Sequence, residues 1–164
     1  MTPYLITTLL CIIIALALVH TPRASAGDRS QVAQKLNRGL AGTPMHGLGW
    51  ILEAEGHRHG ISPYFMAAVA ATESSLGRAS CRNNRKNVWG LASCTNMWHV
   101  PYFETWREAI RFYARFLASR WPSARSPYEY YGYAACDRCW GSKTAYWMGR
   151  LFGVAPETRY GRRR

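Results

Sequence analysis

Acidic side chains are scarce in this chain of 164 residues: nine Asp and Glu stand against 21 Lys and Arg, a formal net charge of +12. Such a surface seeks polyanions, whether nucleic acid, acidic lipid or the anionic polymers of a bacterial wall. Internal repeats and low-complexity tracts are absent, which excludes solenoid and fibrous architectures. Also missing is an apolar run of the about 20 residues that a membrane-spanning helix needs. Strict apolar–polar alternation is missing too, whereas helical periodicity recurs, so the fold class is mainly α. What the chain has in quantity is material to bury: 48% of its residues are hydrophobic and 13% aromatic. Long intrinsic disorder is excluded on that ground, and the length fits one packed domain rather than two.

The N-terminus reads as an export signal. An apolar run from Leu5 to Val19 is followed by Pro22, Arg23 and the small-residue sequence Ala24-Ser25-Ala26. That pattern predicts a signal peptide over residues 1–26, cut after Ala26, with a retained N-terminal anchor as the alternative. Cys11 lies inside the run without a lipobox. The expected location is therefore outside the cytoplasm: secreted, periplasmic or wall-associated, with no stable membrane partner after cleavage. In an exported chain the four remaining cysteines, Cys81, Cys94, Cys136 and Cys139, suggest two disulfides. Proximity favours Cys81–Cys94 and Cys136–Cys139 among the three pairings. Cys136-Asp137-Arg138-Cys139 has no second CxxC for a zinc ribbon, so no metal or cofactor is expected.

Helix punctuation is clear at several points. Ser30 caps a first helix through Val32, Leu36 and Leu40. A second begins near Gly47 and is expected to stop at Gly56, leaving His57-Arg58-His59-Gly60 as a loop. Ser62-Pro63, an N-cap followed by proline at the first helical position, opens a third that ends at Gly77. Thr105-Trp106-Arg107-Glu108 is a capping box opening a long helix closed by Pro122. Ser142 is expected to cap the last one, and Arg162-Arg163-Arg164 to fray.

The third helix carries one anomaly. Met66, Val69, Glu73 and Leu76 step by three, four and three and share a face, and three of them are apolar. Glu73 thus falls on the stripe expected to be buried, in the last turn, where the helix dipole opposes negative charge. Both effects favour the protonated form and raise its pKa. A carboxyl that keeps its proton near neutral pH can donate it to a leaving oxygen.

Three ordered segments surround this position: Ile61-Ser62-Pro63-Tyr64, then Ala71-Thr72-Glu73-Ser74-Ser75-Leu76-Gly77, then Asn87-Val88-Trp89-Gly90-Leu91. Phe103 to Ile110 and Gly141 to Tyr146 follow. Together, over residues 48 to 152, they resemble the lysozyme-like superfamily of peptidoglycan-cleaving enzymes, closest to autolysin-type N-acetylglucosaminidases and lytic transglycosylases. The resemblance implies a single lysozyme-like helical domain with a substrate cleft. Its extent would be residues 47–156, preceded by an extension with the first helix (27–46) and followed by a basic tail (157–164). It implies Glu73 as catalytic acid, Ser74 as its orienting neighbour, Asn87, Trp89 and Gly90 along the groove, and Tyr146 as a cleft tyrosine. The implied partners are peptidoglycan glycan strands with their associated anionic polymers, met by a monomer; nucleic acid is not expected outside the cell.

A standard glycosidase uses a second carboxylate, and Glu104 is the best remaining candidate, since Glu108 belongs to the capping box and Glu53 and Glu55 are expected in solvent. Without such a partner the sugar's own N-acetyl group assists, and a lytic transglycosylase follows naturally. Two other readings compete. One is a zinc amidase using His57 and His59 with His46 or His99; these residues lack HExxH spacing. The other is a non-catalytic basic wall-binding protein.

Overall fold

The computed structural model describes residues 30–91 and 101–160. Among these the chain forms five α-helices: α1 (Gln31–Gly39), α2 (Gly49–His59), α3 (Pro63–Ser74), α4 (Trp106–Arg120) and α5 (Asp137–Phe152). A 3-10 turn at Pro127–Glu129 joins the last two, and no strand occurs among the described residues. The segment 1–26 expected to be a signal peptide, Cys94 with its expected pairing to Cys81, His99 and the Arg162–Arg164 tail expected to fray lie outside the described residues.

Helix starts fall where capping chemistry puts them. Ser30 accepts from the Val32 N–H, and Ser62 accepts from Phe65 with Pro63 at the first helical position. Thr105 and Glu108 form the reciprocal capping box of α4. Three boundaries differ from the sequence expectation. Helix α3 ends at Ser74 rather than running to Gly77, so Leu76 of the expected stripe lies beyond the helix. Helix α2 does not stop at Gly56 but continues to His59 and ends at Gly60 in the left-handed region. Gly56 is there for close approach: a Cβ on it would stand 2.6 Å from the Ile61 carbonyl oxygen and 3.2 Å from Cε of Met66. Helix α5 starts at Asp137, five residues before Ser142, with Cys136 as N-cap. Cys136 and Cys139 are disulfide-bonded across its first turn.

Helix α3 is the centre of the domain. Every residue from Phe65 to Ala71 is buried, on all sides of the helix, so the expected single stripe is not what distinguishes Glu73. A helix apolar all round belongs in a core. It packs against α5 and α2, and α2 packs in turn against α1 and α4.

Two segments expected to flank the domain are built into it. Leu36 and Leu40 of the N-terminal extension join the same core as α3. At the other end Thr158 is buried, the Ser62 N–H donates to the Thr158 carbonyl (2.8 Å), and Ile61 bridges Arg159. The chain from Glu157 to Tyr160 is therefore a strap over the start of α3 rather than a loose tail. Glu55, expected in solvent, is 0% exposed. Its carboxylate is held by Arg111 (3.1 Å), Arg58 (3.6 Å) and Arg107 (3.6 Å).

Candidate active site

Helix α3 ends abruptly at the point where it leaves the core. Ser75 and Leu76 both adopt positive φ (52° and 60°), a conformation that costs a side-chain-bearing residue about 1–2 kcal/mol. Three backbone bonds hold the turn: Ser75 N–H to Ala71, Leu76 N–H to Ala70 and Gly77 N–H to Ser74. The Ser74 side chain adds to them. Its hydroxyl lies 2.7 Å from the Val88 carbonyl and 3.1 Å from that of Ala70, and it accepts from the Gly77 N–H at 2.9 Å. The sharp stop fixes the last turn of the helix, and Glu73 with it.

Glu73 is half-buried. Its Oε1 accepts from the indole N–H of Trp140 at 2.6 Å, reaching across from the first turn of α5. Four residues on from Trp140, Thr144 Oγ1 lies 3.2 Å from Thr72 Oγ1, so α5 engages two successive residues of the α3 terminus. The other carboxylate oxygen faces Gly90, where a Cβ would lie 2.8 Å from Oε2. Gly90 is exposed, while Val88, Trp89 and Leu91 around it are buried. The carboxyl group therefore sits at the boundary between core and solvent, walled by backbone on one side and by an indole on the other. Burial raises its pKa above the ordinary carboxylate value, against the opposing pull of the Trp140 N–H and of Lys143 on α5.

An aromatic scaffold fixes these walls. Trp89 is 0% exposed, stacked on Tyr113 (4.5 Å, 11°), and its indole N–H is spent on the Met66 carbonyl. Tyr133 donates to the Trp89 carbonyl at 3.0 Å, lies 3.1 Å from the Tyr113 hydroxyl, and stacks on Trp140 (4.4 Å). The hydroxyls of Tyr113 and Tyr133 are both pushed far up by burial, with the Glu73 charge adding to the effect. Loop, Tyr133 and Trp140 thus form one continuous support behind the carboxyl group.

Of the residues expected at the site, Glu73 and Gly90 come together. Ser74, Asn87 and Trp89 stand behind them, buried, with their polar atoms engaged by the chain itself. The Asn87 amide donates to the Leu91 carbonyl (2.7 Å) and accepts from the Leu91 N–H, closing the turn that presents Gly90. These side chains shape the loop from the inside, because a buried donor or acceptor already paired has nothing to offer a ligand. Tyr146 is 59% exposed on α5, edge-on to Trp147, and one turn beyond Lys143. Glu104 is exposed at the foot of α4, its N–H bonded to Glu108. Among the described residues no three His, Cys, Asp or Glu side chains gather as metal ligands.

The sequence did not mark Trp140, Lys143, Tyr113 or Tyr133 as site residues; Tyr113 reads there as part of the apolar face of its helix and Lys143 falls within the Gly141 to Tyr146 segment. Trp140 carries one signal that could have found it: with Thr144, Met148 and Phe152 it makes an i, i+4, i+8, i+12 series once α5 is started at Asp137.

Residues 49–161, more than half of the chain, match the family model Glucosaminidase, described as mannosyl-glycoprotein endo-beta-N-acetylglucosaminidase. No curated protein and no solved structure matches the chain.

Proposed function

The chain belongs to this glucosaminidase family of glycosidases, and on that premise we propose that it is an exported enzyme cleaving the glycan strands of peptidoglycan, with Glu73 as general acid. The observation that carries the reading is the asymmetric setting of the Glu73 carboxyl. Its Oε1 is engaged by an indole N–H, which can only donate. In the neutral acid the proton therefore belongs on Oε2, the oxygen turned to the exposed Gly90. Burial keeps that proton in place at higher pH than an ordinary carboxyl would.

In this reading the Oε2 proton passes to the glycosidic oxygen as the bond from C1 to that oxygen breaks, and the bonding pair leaves with the oxygen. Lys143 is the nearby charge that draws the Glu73 pKa down, and Glu104, the second carboxylate expected from the sequence, stands exposed at the foot of α4. Glu55 is committed to its arginines and Glu108 to its capping box. The positive charge growing at C1 is then met by the carbonyl oxygen of the sugar's own N-acetyl group, the substrate-assisted route. The excess of basic side chains draws the enzyme to an anionic wall and weakens that attraction as salt rises.

Digestion of purified sacculi, analysed by mass spectrometry, tests the proposal. Soluble muropeptides from wild type and none from a folded Glu73→Gln variant are expected. Intact sacculi with wild type, or equal digestion by the variant, would overturn it. The same spectra assign the second half of the reaction. A reducing-end sugar means attack by water; a product lighter by one water means closure by the sugar's own hydroxyl. Cleavage next to N-acetylglucosamine or next to muramic acid is read from the terminal residue.

A further inference from the structure

The loop that returns from α3 to Gly90 carries a concentration of charge that the support of Glu73 does not use. Between Arg78 and Lys86 it holds Arg78, Arg82, Arg85 and Lys86 and no acidic residue. All four line a single cavity of about 690 Å³, with Trp106 at the start of α4 forming part of its wall. The ion pairs among the described residues all converge on Glu55, so none neutralises this set. Arg78 donates to the Gly42 carbonyl (2.8 Å), which fixes its guanidinium at the cavity edge. The loop is also anchored: Asn84, buried among the cations, donates to the Pro101 carbonyl, and Ser80 donates to that of Gly77. Four like charges held around one concavity focus a positive potential there.

We propose that this cavity is an anion subsite that takes the carboxylates of the peptide arms borne by the glycan while a glycosidic bond lies at Glu73. The inference rests on Glu73 being the catalytic acid. Chain connectivity sets the reach. Gly77, in the cavity wall, is four residues from Glu73, and Lys86 is four residues from Gly90. Four residues span at most about 14 Å, and a peptide arm of three or four residues spans about as much. Guanidinium groups suit the ligand, since their planar fork meets a carboxylate with two parallel hydrogen bonds. A neutral N-acetylglucosamine polymer would leave the four charges unanswered. The subsite thus selects peptide-bearing glycan over uncharged glycan.

Binding to the Glu73→Gln protein, measured by calorimetry with and without R82Q, R85Q and K86Q together, tests this. The probes are a synthetic disaccharide muramyl peptide, the same peptide with its carboxylates amidated, an N-acetylglucosamine oligomer, and a glycerol phosphate oligomer. The free-acid muramyl peptide is expected to bind the charge-depleted protein about tenfold more weakly. The amidated peptide and the neutral oligomer are expected to bind both proteins alike. Matching thermal melts of the two proteins exclude unfolding as the cause. Equal binding of the free-acid peptide to both proteins would overturn the subsite. Discrimination by the glycerol phosphate oligomer alone would overturn it too, by assigning the cavity to phosphate. If wild type digests sacculi while either of those results is obtained, the subsite falls and the glycosidase stands; if wild type leaves sacculi intact, both fall.

Discussion

Replacing Gly90 by alanine tests the wall of the site with one methyl group. Gly90 has a φ of +65°, and its added Cβ would lie 2.8 Å from Oε2, 3.4 Å from Cδ and 3.6 Å from Cβ of Glu73. Ordinary contacts to carbon settle at about 3.5–4.0 Å, so the carboxyl group must retreat by roughly half an ångström or more. That retreat strains the 2.6 Å bond to Trp140. Displacements approaching 1 Å at a reacting group cost about a hundredfold in rate. The backbone conformation separately costs about 1–2 kcal/mol of stability. Gly60→Ala separates the two effects. Gly60 has nearly the same φ, +67°, with nothing within 4 Å of an added Cβ. Both variants are expected to lose about the same stability in urea titrations, while turnover on sacculi falls about a hundredfold for Gly90→Ala alone. Turnover by Gly90→Ala within about twofold of Gly60→Ala would refute the reasoning, because a carboxyl pushed from its place would then be indifferent to the reaction.

The remaining predictions concern the partners of the two unusual carboxylates. Trp140→Phe keeps a ring in the aromatic stack but removes the N–H that opposes the rise of the Glu73 pKa by favouring the charged form. The Glu73 pKa is therefore expected to climb further, moving the alkaline limb of the rate profile to higher pH while the maximal rate drops about tenfold or more. For Glu55, burial acts to raise the pKa, but Arg111, Arg58 and Arg107 outweigh it and leave it lowered. The folded state then binds fewer protons than the unfolded one just below the ordinary value of 4.5, so the stabilisation is present above that value and is lost as pH falls through the folded pKa. Glu55→Gln is expected to flatten this acid limb when urea midpoints are followed with pH. An unchanged limb would contradict the ion cluster.

Much of the fold is legible in the sequence because helix starts are written locally. Ser30, Ser62-Pro63 and the Thr105–Glu108 box each satisfy orphan N–H groups within a few residues, and each marks a real start. The end of α2 was less legible. Gly56 has the composition of a breaker but the role of a contact surface, and only the neighbouring chain at Ile61 and Met66 reveals which. The start of α5 was hidden for a similar reason. Cys136 and Cys139 are one helical turn apart, so their disulfide lies within the helix start rather than before it. Glu73 was picked out by a stripe, yet α3 is buried on every side and the stripe is not what sets the residue apart. Its position comes from the sharp exit at Ser75 and Leu76. The helical series places Trp140 on the buried face of α5, but its bond to Glu73 could not be read locally, since the two residues lie 67 apart in the chain.

The central claim is that the Glu73 proton goes to a leaving oxygen, and a leaving group that needs no proton tests it most directly. Wild type and Glu73→Gln are compared on sacculus glycan and on the nitrophenyl glycoside of an N-acetylglucosamine oligomer. The account predicts a loss of about 10²–10⁴-fold on the natural glycan and a loss of less than about tenfold on the nitrophenyl glycoside. Equal losses on both substrates, or no loss on the natural glycan, would contradict it.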